Sequence, residues 1–160
     1  MMTDRAPRVE LRAVTRETLR QCIRLQVAST QAGFVASNVF SLAEAAVTPD
    51  TWPLAVYAGD EMVGFVMYSR DPETGRYWIM RLMVGAGQQG RGFGRATVVA
   101  AVELIRERHG CREIILGVTE GNKVAERLYE SVGFHRTGEI DAGEAIMRLD
   151  LEQATTERQD

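Results

Sequence analysis

The sequence predicts a mixed α/β fold with the element order βααβββαβαββ, in which helices flank one central sheet. Short segments with the alternating or wholly apolar patterns of strands lie on both sides of a long helical pattern that ends at His109. The 160 residues are 45% hydrophobic and 26% charged, and no internal repeat or Pro/Gly/Ser-rich linker divides them. We therefore expect residues 1–151 to form one domain.

The first elements are a strand and two helices. Residues 8–14 alternate apolar and polar side chains as a half-buried strand does. Thr15 can then cap a helix whose apolar side chains share one face, namely Leu19, Ile23 and Val27. The stretch Ser41-Leu-Ala-Glu44 has the form of a capping box, in which the serine and glutamate side chains bond backbone amides of the first turn. We expect a short second helix to begin there.

The remaining elements are strands joined by turns and two helices. The Gly59-Asp60 and Asp71–Gly75 turns indicate an antiparallel meander of three strands, at residues 54–58, 61–69 and 77–84. A glycine-rich loop leads into a helix with Val98, Val102 and Ile105 on one face and a Gly110 stop. The last elements are a strand at 113–118, a helix at 122–132 and strands near 134–139 and 144–151. The polar residues 152–160 are expected to form a disordered tail.

The composition argues against several classes of protein. Cys22 and Cys111 have no Cys or His at metal-ligand spacing, so we expect neither a disulfide framework nor a metal site. No apolar run approaches the roughly 18 residues of a membrane span, and no apolar targeting segment follows Met1, which predicts a cytoplasmic protein without a membrane partner. An isoelectric point near 5.5 argues against nucleic acid as a partner.

The net charge of −3 conceals a separation of sign along the chain. Residues 25–69 contain four acidic residues and no Lys or Arg, whereas residues 70–95 contain five Arg and two acidic residues. This separation favours two ligands of opposite charge.

The loop at 84–95 carries five glycines in twelve positions between a strand and a helix. Closely spaced backbone amides at a helix N-terminus bind phosphate groups in many folds, so we expect a phosphorylated ligand. The spacing of Gly85, Gly87 and Gly90 matches the dinucleotide fingerprint G-x-G-x-x-G, but two further glycines follow and no strand ends in an acid about 20 residues later. A P-loop would need a lysine, which this region lacks. The frame Gln89-x-x-Gly92-x-Gly94 fits a pyrophosphate better.

Two motifs resemble one known family. Val84-x-x-x-x-Gln89-Gly90-Arg91-Gly92-Phe93-Gly94 is similar to the pyrophosphate loop of the GCN5-related N-acetyltransferases (GNAT), and Asn122-x-x-Ala125-x-x-x-Tyr129-x-x-x-Gly133-Phe134 is similar to their second motif. With the element order, the resemblance covers about residues 8–151. It implies a central mixed, mostly antiparallel, twisted sheet of six to seven strands flanked by about four helices. It also implies acetyl-CoA as the cosubstrate and direct attack by an amine.

The resemblance further implies roles for individual residues. Tyr129 would protonate the leaving thiolate, and Asn122 would hydrogen-bond the cofactor next to the small Ala125. The alternative for Tyr129 is packing in the core with Leu128, Val132 and Phe134. The strand before the loop would splay from its neighbour and offer backbone groups to the cofactor. The remaining implied cofactor contacts are Leu82, Met83, Val84, Gln89, Gly90, Arg91, Gly92, Phe93, Gly94 and Arg95.

The general base stays open in the sequence. An ammonium must lose a proton before it can attack, so a side chain or water must accept that proton. Polyamine acetyltransferases of the family often carry an acid four residues before the Val84 position, where this sequence has Met80. The candidates are therefore Glu44, Asp60, Glu61 and ordered water.

The acceptor site of the family is usually built from residues corresponding to 25–48. The stretch from Ser29 to Ala45 is similar to bacterial spermine/spermidine acetyltransferases, and its candidates for substrate binding are Gln31, Phe34 and Glu44. An acidic segment without cations suits a polycation, and an aromatic ring would add cation–π contact. The rings in question are Phe34, Tyr57 and Trp78, and the alternative for each is a place in the core. Glu44 has an alternative role as the capping-box carboxylate.

Other functions remain open at this stage. The amine could be an aminoglycoside, an amino acid or a protein N-terminus instead of a polyamine. The chain could also be a non-catalytic acyl-CoA-binding module or a dinucleotide-binding oxidoreductase. Dimers are common in the family that the sequence resembles, which makes a homodimer a further expectation.

Overall fold

The computed structural model describes residues 6–152 and has the predicted mixed α/β architecture, with seven strands in one sheet and four α-helices. The predicted tail lies outside the described residues, except for Glu152. Two short 3₁₀ turns cover Ser29–Gln31 and Ala86–Gln88. In chain order, the elements are β1 Glu10–Ala13, α1 Leu19–Arg24, α2 Asn38–Val47, β2 Thr51–Ala58, β3 Glu61–Arg70, β4 Tyr77–Val84, α3 Phe93–His109, β5 Glu113–Thr119, α4 Lys123–Val132, β6 His135–Asp141 and β7 Glu144–Asp150.

The sheet has the order β1-β2-β3-β4-β5-β7-β6, and every neighbouring pair is antiparallel except β4 and β5. The crossover helix α3 joins these two strands, because parallel neighbours cannot be connected by a tight turn. Their ladder is short, because only Tyr77–Ile79 of β4 pair with Ile114–Leu116 of β5. Beyond Ile79 the two strands diverge.

The helices cover both faces of the sheet. On one face, α3 and α4 pack over a cluster that includes Ile105, Leu116 and Phe134, and Val98, Val102 and Ile105 are all buried as their spacing predicts. On the other face, α1 and α2 pack over a smaller cluster that includes Phe65 and Met83. The sheet therefore forms the middle layer of three, and any ligand that enters between β4 and β5 meets both faces.

The first helix differs from its prediction. Thr15 Oγ1 does accept a hydrogen bond from the Thr18 amide at 3.3 Å, but the regular helix begins only at Leu19. The buried residue of α1 is Cys22, whereas Leu19 and Ile23 are 41% and 36% exposed and Val27 lies beyond the helix. A six-residue helix has too few turns for an i, i+4, i+8 stripe to form.

The predicted capping box at Ser41 and Glu44 is wrong. Helix α2 begins earlier, and Ser37 is its N-cap, whose Oγ accepts a hydrogen bond from the Phe40 amide at 3.1 Å. Ser41 is instead fully buried inside the helix. The side chain of Glu44 is therefore free to reach the neighbouring sheet.

A β-bulge interrupts β4 at the point where it leaves β5. Met67 and Tyr68 are consecutive on β3, but their partners on β4 are Arg81 and Ile79, so Met80 is an extra residue. Side chains of a regular strand alternate between faces, and a bulge breaks that alternation. Met80 packs against the cluster under α1 and α2, and the next side chain, Arg81, reaches Glu44 of α2. The consecutive side chains of Met80 and Arg81 thus lie on the same face of the sheet.

Gly64 permits the close approach of β3 to β4 and provides a test of this part of the fold. A Cβ at Gly64 would lie 2.5 Å from the Met83 carbonyl oxygen, a backbone atom held in the ladder. We expect Gly64→Ala to lower the free energy of unfolding by about 1–3 kcal/mol, as overpacking does, in urea denaturation. Gly33→Ala is the control, because its Cβ meets no atom within 4 Å, and should change stability little. Equal stability of the two variants would contradict this strand packing.

Candidate active site

A cavity of about 590 Å³ occupies the gap between β4 and β5. Its walls include the diverging residues Ile79–Val84 of β4 and Gly117–Thr119 of β5, and the cavity continues to the glycine-rich loop and to α4. Because β4 pairs with β5 only as far as Ile79, the backbone of Leu82, Met83 and Val84 has no strand partner on that side. Such backbone groups need partners, and an extended amide-bearing ligand supplies them.

The loop after β4 forms one end of the cavity. Gly90 and Gly92 have φ of 78° and 83°, in the left-handed region that glycine adopts without strain, and Gly92 is the N-cap of the 17-residue helix α3. The loop amides therefore lead directly into a helix N-terminus, where anions bind favourably. Arg95 lines the cavity and donates to the Ser131 carbonyl at 3.4 Å.

Two loop side chains have specific partners. Gln89 lines the cavity, and its Nε2 donates to the Val84 carbonyl at 3.1 Å and to Gln31 Oε1 at 2.6 Å, which ties the loop to the segment between α1 and α2. Arg91 is not part of the wall. Its guanidinium donates to Gln88 Oε1 at 2.6 Å and lies 5.0 Å from the centre of the Phe93 ring.

These features fit coenzyme A. The bent backbone of the loop and the positive charge of Arg95 suit a pyrophosphate, and the unpaired edge of β4 suits the amides of a pantetheine arm. Gly94 lets the chain pass close to α4, since a Cβ there would lie 2.9 Å from Leu128 Cδ1.

The second motif supplies the opposite wall of the cavity. Asn122, Ala125 and Tyr129 all line it. Asn122 precedes the helix and serves as its N-cap, with Oδ1 accepting from the Ala125 amide at 3.3 Å, in agreement with a helix predicted from about residue 122. The motif spacing thus has a structural role in capping α4 as well as a place in the cavity.

Tyr129 is partly buried and contacts Phe134 edge to face, with ring centres 6.1 Å apart. Removal of the phenol from water, followed in size by the negative charge of Glu144, raises the pKa of Tyr129 to about 12. The phenol is therefore a proton donor at neutral pH. Tyr129 both packs against the core and lines the cavity, so the two interpretations of this residue are compatible.

Only some of the residues predicted to bind the acceptor amine lie at the cavity. Phe34 is 41% exposed and lines the cavity, as does Gln31, whose side chain bonds Gln89. Glu44 does not line it, because its carboxylate pairs with Arg81 at 3.4 Å. Tyr57 is buried beneath the Arg12 guanidinium, which agrees with its alternative place in the core. Neither Tyr57 nor Trp78 lines the cavity.

The remaining candidates for the base lie elsewhere. Neither Asp60 nor Glu61 lines the cavity, and Glu61 Oε1 accepts a hydrogen bond from Gln88 on the surface at 2.5 Å. The structure adds two charged residues that the sequence interpretation missed, Arg81 and Glu144. Within residues 6–152, Glu144 is the one carboxylate in the cavity wall. No sequence motif marks it, since it opens the last strand after an ordinary turn.

No helix within residues 6–152 is long and apolar enough to cross a membrane. Within the same range, no group of three or more His, Cys, Asp or Glu side chains is arranged to hold a metal ion.

Comparison with known proteins identifies the family. Residues 19–134 match the family described as Acetyltransferase (GNAT). The chain therefore belongs to the GNAT family and is an acetyl-CoA-dependent N-acetyltransferase. Among characterised relatives, it is 31% identical over 150 residues to the spermine/spermidine N(1)-acetyltransferase of Bacillus subtilis strain 168, an alignment that covers 89% of this chain and 99% of the relative.

Solved structures share the fold. An aminoglycoside acetyltransferase in complex with coenzyme A superposes with a TM-score of 0.75 at 23% identity, covering 89% of this chain and 94% of the other. A spermidine N-acetyltransferase from Vibrio cholerae in complex with coenzyme A and spermine has a TM-score of 0.68 at 20% identity, covering 88% and 93%. At these identities the likeness establishes the fold alone.

The left-handed glycine of the loop gives a test of cofactor binding. A side chain at Gly92 costs about 1–2 kcal/mol in the left-handed region, and the Cβ would also lie 3.3 Å from Pro7. We expect Gly92→Ala to weaken coenzyme A binding roughly five- to thirtyfold in calorimetry, because the loop leaves its anion-binding shape. Gly87→Ala in the same loop is the control, since its Cβ is in open space at an ordinary φ. Unchanged affinity of Gly92→Ala would argue against this loop as the pyrophosphate site.

Proposed function

We propose that this protein acetylates a primary amine of a polyamine such as spermidine or spermine. The observation that carries the proposal is the 31% identity to a spermine/spermidine acetyltransferase along 99% of that relative. The cavity agrees with it, since the acceptor side presents an exposed Phe34 ring and the Glu144 carboxylate to a cationic chain.

The charge of the acceptor side differs from the expectation. The cation-free segment 25–69 receives a cation from the neighbouring strand, because Arg81 pairs with Glu44. Glu44 therefore brings little net charge to the acceptor. A polyamine ammonium would be attracted instead by Glu144, which forms no ion pair with the described residues.

The cofactor contacts are part of the proposal. Acetyl-CoA supplies the acetyl group as a thioester. In our proposal, Gln89, Gly90, Gly92, Phe93, Gly94 and Arg95 hold its pyrophosphate, while Asn122 and Ala125 border the arm. Arg91, predicted as a further contact, supports the loop through Gln88 and the Phe93 ring. Backbone groups of Leu82, Met83 and Val84 hydrogen-bond the arm, and one N–H of this edge polarises the thioester carbonyl. On the acceptor side, Gln31 and Phe34 contact the amine, and Glu44 acts by holding Arg81.

Tyr129 is the proposed general acid. Its phenol lines the cavity and keeps its proton well beyond neutral pH, because burial and the charge of Glu144 raise its pKa. It can therefore donate that proton to the thiolate that leaves. Neither cysteine is placed for an acetyl-enzyme, since Cys22 is fully buried under α2 and Cys111 is outside the cavity wall.

Homodimer formation and a cytoplasmic location, both expected from the sequence, stay predictions.

The substrate proposal is tested by turnover. We expect the purified protein to release free thiol from acetyl-CoA in the presence of spermidine or spermine, with kcat/KM at least about tenfold above that for aminoglycosides, amino acids or peptide N-termini. Mass spectrometry of the product would locate the new acetyl group on a primary nitrogen. Turnover with another of these amines and none with polyamines would overturn the polyamine proposal. A failure of every tested amine to cause thiol release above background would indicate a binding module.

The role of Tyr129 is tested by Tyr129→Phe. Loss of the hydroxyl removes the proton donor but keeps the ring against Phe134, so kcat should fall about 10²- to 10⁴-fold while coenzyme A affinity changes little. Stopped-assay rates and calorimetry measure the two effects. In the wild type, kcat should not decline through loss of the Tyr129 proton between about pH 7 and pH 10, because the raised pKa keeps the phenol protonated there. A variant with wild-type kcat would exclude Tyr129 as the acid.

A further inference from the structure

Glu144 occupies a place in the cavity that Gly117 makes available. Glu144 opens β7 and pairs with Thr119 at the end of β5, two residues beyond Gly117. The Glu144 side chain lies over Gly117, where an added Cβ would collide with the carboxylate oxygen and lie 3.1 Å from its Cδ. A glycine at this point of β5 therefore allows the carboxylate to lie flat on the strand that forms the cavity wall.

The surroundings of Glu144 leave its charge unmatched. Two other charged side chains line the cavity, Arg81 and Arg95. Arg81 is held by Glu44, and Arg95 donates to the end of α4 at Ser131. Glu144 itself has no ion-pair partner within the described residues. A carboxylate that faces a cavity without a partner is suited to a cationic ligand.

The position of Glu144 also relates it to the reacting atoms. Its negative charge is one of the two causes that raise the pKa of Tyr129, so the carboxylate lies close enough to the phenol to affect its ionisation. A phenol and a carboxylate at one cavity are the pairing that acid–base chemistry needs, with one group to donate a proton and one to accept a proton. The candidates Asp60 and Glu61 lie outside the cavity wall.

We propose that Glu144 binds the reacting ammonium of the acceptor and accepts its proton. This inference rests on the proposed N-acetyltransfer, and applies to whichever primary amine the protein takes. It assigns the base to β7, on the opposite side of the cavity from the Met80 position where the sequence resemblance places an acid.

The proton balance is complete with the residues present. The transfer forms one N–C bond and breaks one C–S bond, and the ammonium loses two protons in all. Glu144 accepts the first proton, which frees the nitrogen lone pair for attack, and passes it to solvent, since the residue is exposed. Tyr129 gives its proton to the thiolate, and the second proton of the nitrogen restores the phenol. One proton is released to water.

The test compares Glu144→Gln with Asp141→Asn. Gln keeps the size and loses the charge and basicity, whereas Asp141 faces Glu144 across the same hairpin and is not in the cavity wall. We expect Glu144→Gln to lower kcat/KM for the amine about 10²- to 10⁴-fold with coenzyme A affinity unchanged, and Asp141→Asn to stay within about threefold of wild type. Wild-type kcat/KM in Glu144→Gln would overturn the proposal.

Two further readouts separate this role from a merely structural one. Calorimetry should show weaker binding of the amine to the Glu144→Gln complex with coenzyme A. In an analogue of the same amine with fluorine atoms close to the reacting nitrogen, that nitrogen is uncharged at neutral pH and needs no base before attack, so the loss caused by Glu144→Gln should shrink to within about tenfold. An equal loss for the charged and uncharged amines would overturn the proposal.

Gly117→Ala provides an independent variant that keeps the carboxylate. The new Cβ would displace the flexible end of Glu144, and we expect a loss of amine binding in the same direction. If the wild type acetylates another amine and no polyamine, the proposed substrate fails while these comparisons on the accepted amine still decide the role of Glu144. If Glu144→Gln acetylates polyamines normally, the substrate proposal stands and the role of Glu144 fails.

Discussion

The divergence of β4 and β5 beyond Ile79 is the constraint on which the active-site architecture depends. Parallel pairing joins them at Tyr77–Ile79, and a bulge at Met80 then redirects β4 while β5 continues straight into its ladder with β7. An edge of unpaired backbone thus opens inside the sheet. Because both faces of that sheet are covered by helices, the gap becomes a slot within the sheet, with the loop at one end and α4 on one side.

The charge arrangement follows from the same divergence. The arginine-rich segment 70–95 supplies Arg95 beside the loop, where a pyrophosphate binds in our proposal, but it also supplies Arg81 to the opposite face through the bulge. Arg81 then neutralises Glu44 of the acidic segment 25–69. The division of sign along the chain therefore holds beside the loop, where Arg95 lies. At the acceptor end the pair of Arg81 with Glu44 cancels it, and the carboxylate without an ion-pair partner comes from β7.

Two glycines and the packing of α4 bring the Tyr129 phenol and the Glu144 carboxylate to the same cavity. Gly117 leaves room for Glu144 over β5, and Gly94 lets α3 approach Leu128 of α4, which holds Tyr129 at the cavity wall. The pKa of the Tyr129 phenol is raised because its surroundings exclude water and include the negative charge of Glu144. The proposed proton donor and acceptor thus come from residues that are fifteen positions apart in the chain.

Sequence alone determined the order of elements and the family, and it predicted the loop at 84–95 as the pyrophosphate site. These depend on local features: apolar periodicity, glycines that permit left-handed backbone, and motif spacing within one strand–loop–helix unit. The sequence could not place Arg81 or Glu144. Strict alternation along β4 conceals a bulge that only the pairing with β3 defines, and the cavity contact of Glu144 depends on a register with β5 set by residues 25 positions earlier. Tertiary structure decided which charges face the acceptor, since charges interact through space and not along the chain.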